Sequence, residues 1–215
     1  MSVSKSNSPH MFKQYANCMD EIKCRTKMIG FMLEGNWPWA GPQLVAECVY
    51  LQLRKILELV AIASAANGSN YEQYIDQFSK GVNTRRIFRD IERDNPQFYP
   101  IPIRRRPDRE NARDARFFEE IESGFLTKGE WHKLFDVCNK LIHAAPPGMS
   151  DTNYDDLLAS VRNWVEKIAL LLRRHKVQLV ESDQWLLVEM KSASGTVCVC
   201  HVKVFPTQHD ETVFS

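Results

Sequence analysis

Apolar positions recur at three- and four-residue spacing through most of the chain and at a spacing of two only near its end. Over 10–33, Met11, Tyr15, Cys18, Met19, Ile22, Met28, Ile29, Met32 and Leu33 predict a first helix, which Gly35, Pro38, Gly41 and Pro42 interrupt. Trp37 and Trp39 fall in that break and are expected to cover an edge of the core. A second helix is predicted over 42–66, with Pro42 in its first turn and Asn67-Gly68 after its end. Leu44, Val45, Val49, Leu51, Leu53, Ile56, Leu57, Leu59, Val60 and Ile62 make it apolar nearly all round, the pattern of a central helix in a bundle. A weaker helical pair is expected over 71–94, stopped by Asn95-Pro96. Pro96, Pro100, Pro102 and Pro107 exclude a regular helix over 96–110, and a short helix is read over 109–122.

The clearest start signal is Thr127-x-x-Glu130 ahead of Trp131, a capping box. The helix it opens should run to about residue 145, where Pro146-Pro147-Gly148 ends it. Its apolar face is Trp131, Leu134, Phe135, Cys138, Leu141 and Ile142, and its other stripe is His132, Asp136, Asn139 and His143. A last helix is predicted over 154–176. Strands are then predicted over 178–181, 185–190 and 196–205, the last two joined as a hairpin by Ser192-Ala193-Ser194-Gly195. The expected fold is mainly α, a helical bundle of about five main helices with a C-terminal β-hairpin as an α+β appendage. The bundle should occupy 10–177 and the hairpin 178–206, packed on it, because an isolated hairpin is marginal in water. Residues 1–9 and 207–215 are read as flexible tails.

The 215 residues carry 28 Lys and Arg against 27 Asp and Glu, a net charge of +1. That balance excludes a globally basic nucleic-acid coat and an acidic tail protein. No apolar run approaches the ~18 residues of a membrane span, and the Ser-rich 1–9 segment lacks a signal-peptide pattern. The expected location is the cytoplasm. Six cysteines include no CxxC pair, so free thiols are expected rather than disulfides or structural zinc. In the last strand Cys198 and Cys200 should share one face and His201 the other, which does not converge on an ion. Buried thiols, no metal and no cofactor are therefore expected. Neither a Gly-rich phosphate loop nor a GxSxG or HExxH motif is present.

The segment Cys138-Asn139-Lys140-Leu141-Ile142-His143 resembles the motif of the HEPN superfamily, helical-bundle proteins of nucleic-acid-directed defence and toxin–antitoxin systems. That motif is an Arg, often followed by Asn, Asp or His, and then a His after four to six residues. Asn139 and His143 match it, and Cys138 stands at its Arg position. The resemblance implies an HEPN-like protein that binds or cleaves RNA, in bacterial anti-phage defence or a toxin–antitoxin system. If active, it would be a metal-independent endoribonuclease. His143 would move protons, for which an ordinary pKa near 6.5 suits it. Cys138 has no charge with which to hold a phosphate. Arg54, on the central helix, is the candidate to supply that charge; alternatively it forms an ion pair with Glu58, four residues on. His143 is alternatively a helix C-terminal histidine, favourable against the dipole.

Ten arginines and no lysine lie between 85 and 116, diluted by six acids, for a local charge of +4. Arg over Lys suits bidentate phosphate contacts and stacking on bases. Arg104, Arg105, Arg106 and Arg109 are the candidate nucleic-acid contacts, with Phe98 and Tyr99 placed to stack a base. The alternative is a solvated, salt-bridged face. Expected partners are RNA or a nucleotide, with a homodimer or another protein as further expectations and no membrane. The alternative function is a non-catalytic protein-interaction module, or a small-ligand sensor with an arginine-lined pocket.

Overall fold

The computed structural model describes residues 9–35, 37, 40–65, 70–105, 118–143, 152–179, 184–192 and 195–203. Among them are six helices: α1 (Pro9–Leu33), α2 (Pro42–Ala65), α3 (Tyr71–Ser79), α4 (Thr84–Asp94), α5 (Lys128–Ile142) and α6 (Tyr154–Arg173). Five strands join them: β1 (Ile101–Arg105), β2 (Phe118–Glu120), β3 (Arg174–Gln178), β4 (Gln184–Glu189) and β5 (Cys198–Lys203). The chain is mainly helical with one small antiparallel sheet, in the order β2-β1-β3-β4-β5.

The all-round apolar pattern of α2 has the expected consequence. This helix packs against each of the other five, and Val49, Tyr50, Leu53, Ile56, Leu57 and Ala61 along it are fully enclosed. The capping box forms as the sequence indicates. The Thr127 hydroxyl accepts from the Glu130 N–H at 3.2 Å, and the Glu130 carboxylate accepts from the Thr127 N–H at 3.0 Å. Glu130 also bonds Lys167 of α6, which holds its carboxyl below the usual range. Behind the cap, Trp131 stacks on Phe88 at 4.2 Å and on Phe135 at 5.0 Å between ring centroids. Its indole N–H donates to the Leu57 carbonyl at 3.2 Å.

The sheet departs from the expected appendage. β4 and β5 do form the hairpin, with Leu186 opposite His201 and Val188 opposite Val199. They extend a sheet that begins in the middle of the chain. β1 pairs with β3 through Ile101–Lys176 and Pro102–His175, and with β2 through Ile103–Glu120. Residues 118–120 are thus a strand where a helix over 109–122 was predicted, and 106–117 lie outside the described residues. The last helix stops at Arg173 rather than 176, because Arg174 already has extended geometry, φ −149° and ψ 124°. From there His175, Val177 and Leu179 alternate inward. The strand predicted over 178–181 accordingly lies at 174–178. One face of the sheet, with His175, Val177, Leu186 and Val188, is buried against the helices. The other carries Arg174 bonded to Glu189, Lys176 bonded to Glu120 at 2.7 Å, and the Lys176 ammonium 4.6 Å from the Trp185 ring centroid.

Two cysteines correct an expectation. Cys138 is buried, but Cys198 and Cys200 are exposed, on one face of the edge strand with their Sγ atoms 3.5 Å apart. Trp37 is half-buried against the core as expected; Trp39 lies outside the described residues.

Candidate nucleic-acid interface

The residues of the HEPN-like segment separate along α5. Cys138 lies wholly in the core, and burial pushes its thiol up to about 12 against the opposing pull of Arg54. Asn139 is half-buried one residue on. His143 is exposed and is the C-cap of α5, with φ −90° and ψ 129°, so the helix ends before the predicted residue 145. It borders a cavity of about 590 Å3 together with Gln43, Leu44, Glu47, Leu51, Leu141 and Ile142. No Lys or Arg lines that cavity among the described residues, and 144–151 contain none in the sequence.

Arg54 comes from α2 to the level of Cys138. Its Nε donates to Glu58 at 3.1 Å, and its guanidinium sits 5.5 Å from the Phe135 ring centroid. Phe135 is eight residues before His143 on α5, about 12 Å along the axis. The structure therefore sets Arg54 beside the position that the motif's Arg would occupy, in a half-buried ion pair, and does not bring it into the cavity that His143 borders.

The arginine-rich middle divides in three. Arg104 is exposed and paired with Glu119 across the β1–β2 ladder, and Arg105 lies over the Phe118 ring at 5.9 Å. Arg106 and Arg109 lie outside the described residues. Phe98 and Tyr99, expected to stack a base, are instead buried in the aromatic core beside Phe88 and Trp131. The Tyr99 hydroxyl donates to the Leu126 carbonyl at 2.8 Å, so neither ring is free for a ligand.

The third part is α4, which the sequence did not single out from the rest. Thr84, Ile87, Phe88 and Ile91 face the core, which turns Arg85, Arg86, Arg89 and Arg93 to solvent. α4 and α5 run antiparallel, held by Arg85–Asp136 at 2.9 Å and Lys128–Glu92 at 2.7 Å. This register lays His132 and Asp136, the first half of the α5 polar stripe, against the arginine face of α4. His132 packs edge-on to Phe88 and Trp131, with centroids 5.1 Å and 5.0 Å away. Burial first, and then the charge of Arg85, holds its imidazole below the ordinary pKa. Asn83, Arg85, Arg86, Arg89 and His132 together line a cavity of about 540 Å3. The available signal was the four-residue spacing of Arg85–Arg89 and of His132–Asp136, two stripes whose meeting depends on the helix pairing.

No helix among the described residues is long and apolar enough to cross a membrane. Nor do three or more His, Cys, Asp or Glu side chains converge as metal ligands among them. The chain matches no known protein family, no curated protein and no solved structure.

Proposed function

We propose that this protein is an HEPN-like RNA-binding protein that holds the phosphate backbone on the arginine face of α4. The observation that carries this reading is the gathering of Arg85, Arg86 and Arg89 with His132 around one cavity, on a helix whose opposite face is fixed in the core. A rigid row of guanidiniums is suited to phosphate oxygens, which accept the paired N–H donors of Arg. Binding is favoured over cleavage. His143 and Glu47 line one cavity, in which no Lys or Arg among the described residues stands to stabilise a transition-state charge. A titration of labelled single-stranded RNA, followed by fluorescence anisotropy, tests the reading. The wild-type chain should bind, and Arg86→Ala with Arg89→Ala should weaken binding severalfold. Equal affinity of the two proteins overturns it.

One observation favours a second reading, the protein-interaction module. Leu44 and Leu51 are 42% and 39% exposed on α2, and with Leu141 and Ile142 they give the cavity bordered by His143 an apolar wall. Apolar surface of that kind suits a protein partner better than a nucleic acid.

A further inference from the structure

The cavity between α4 and α5 has a charge imbalance that specifies its ligand more narrowly than an arginine face does. Three guanidiniums line it. Arg85 is matched by Asp136 at 2.9 Å. Arg86 reaches Asp90 at 4.0 Å, a carboxylate it shares with Arg93 at 3.1 Å, and Arg93 also meets Asp94 at 3.8 Å. Arg89 therefore faces the cavity without an ion-pair partner among the described residues, and Arg86 is held only through its long contact to Asp90. The first turn of α4 adds to these charges, because Asn83 caps it and its free N–H groups carry partial positive charge.

His132 supplies a neutral donor beside them. Its Nδ1 is sealed from solvent with no hydrogen-bond partner among the described residues. A buried N–H without an acceptor is the rarer orphan, which favours the tautomer with the proton on Nε2. The cavity volume of about 540 Å3 falls within the range of small-ligand sites.

We propose that the cavity lined by Arg85, Arg86, Arg89 and His132 is a receptor for a phosphomonoester, either the terminal phosphate of an RNA strand or that of a free nucleotide. A monoester carries close to two negative charges at neutral pH and three acceptor oxygens. A diester within a strand carries one charge. The monoester's second charge suits the unpaired Arg89 beside the loosely held Arg86, and the Nε2–H of His132 can satisfy a further oxygen. The RNA source, though not the phosphomonoester chemistry, rests on the RNA-binding reading above.

The test uses the full chain and four probes: a short RNA with a 5′-phosphate, the same RNA with a 3′-phosphate, the same RNA with hydroxyl at both ends, and adenosine 5′-monophosphate. Affinities are measured by calorimetry for the wild type, Arg89→Ala and Arg86→Ala. These two side chains are solvent-facing, and unchanged thermal unfolding confirms that the fold survives. The expected result is about tenfold or greater preference for a phosphorylated end over the hydroxyl RNA, lost in either variant. Binding of the mononucleotide as well means that the cavity takes the monoester from either source. Its failure to bind beside a preferred phosphorylated RNA assigns the strand terminus. Mononucleotide binding without any RNA binding keeps the receptor and defeats the RNA reading. Equal affinity for phosphorylated and hydroxyl RNA overturns the receptor while leaving RNA binding in place, and no binding of any probe overturns both.

Discussion

Tyr15 of α1 donates its phenolic proton to Nε2 of His175 on β3 across 2.7 Å, and both side chains are wholly enclosed. The assignment of donor follows from the other side of the ring. Nδ1 lies 2.9 Å from the Leu172 carbonyl, which can only accept, so Nδ1 carries the imidazole proton and Nε2 is the acceptor. This bond pins the helical layer to the sheet, between residues 160 positions apart in the sequence.

The pin should give the fold a specific pH dependence. Burial lowers the His175 pKa to about 4, from about 6.5 for the exposed ring. Between these values the unfolded chain binds a proton that the folded chain refuses. Stability is therefore full above pH 6.5 and falls as the pH drops toward 4, by at most about 1.4 kcal/mol per pH unit. Melting temperatures measured across pH 4 to 7 should show this decline, and His175→Gln should flatten it. An equal decline in both proteins contradicts the assignment. Tyr15→Phe, which leaves Nε2 buried without a donor, should cost about 1–3 kcal/mol at neutral pH.

Deleting residues 178–215 should destabilise the whole protein. The cut removes β4 and β5, which continue the β3 ladder through Lys176–Leu187 and Val177–Leu186 and carry Leu186 and Val188 into the core. A lower melting temperature, greater binding of an apolar dye and loss of monodispersity are expected. A truncated chain that stays monomeric and equally stable would show that the hairpin contributes nothing to the core.

Purified protein is expected to leave RNA intact. His143 borders an acidic and apolar cavity, while the nearest candidate arginine, Arg54, is engaged by Glu58. Labelled RNA incubated with wild-type chain and a metal chelator should remain full length. RNA cleavage that falls by about 10²- to 10⁴-fold in His143→Ala would contradict this and place general acid–base chemistry at the end of α5. Cys138→Ala should alter stability through a small core cavity and leave RNA affinity unchanged.

Much of the helical layer was legible because each helix has a local signature. The all-apolar circumference of α2 announced its central place, and Thr127 with Glu130 fixed the start of α5 to the residue. The sheet was legible at its C-terminal hairpin and, displaced along the chain, at β3. β1 was hidden by Pro100 and Pro102, since a proline cannot donate to a ladder and reads against an interior strand. In the fold Pro102 contributes its carbonyl, which accepts from the Ile121 N–H at 2.9 Å. The start of β3 was hidden because it continues α6 without a connecting turn. The arginine cavity was half legible. The stripes on α4 and α5 could be read separately, but their antiparallel register is set by tertiary packing around Phe88 and Trp131. The same packing removed Phe98 and Tyr99 from the candidate site.

The measurement that bears most directly on RNA binding through α4 is the salt dependence of affinity, for the wild type and for Arg85→Ala, Arg86→Ala and Arg89→Ala. Each guanidinium that neutralises a phosphate on single-stranded RNA contributes about 0.7 to the slope of log affinity against log salt. The wild type should show a measurable slope that becomes shallower by roughly that amount with each substitution at Arg86 or Arg89. The change at Arg85, which Asp136 already holds, should be smaller. A wild-type slope near zero, or one that the three substitutions leave unchanged, would contradict RNA recognition by this face of the protein.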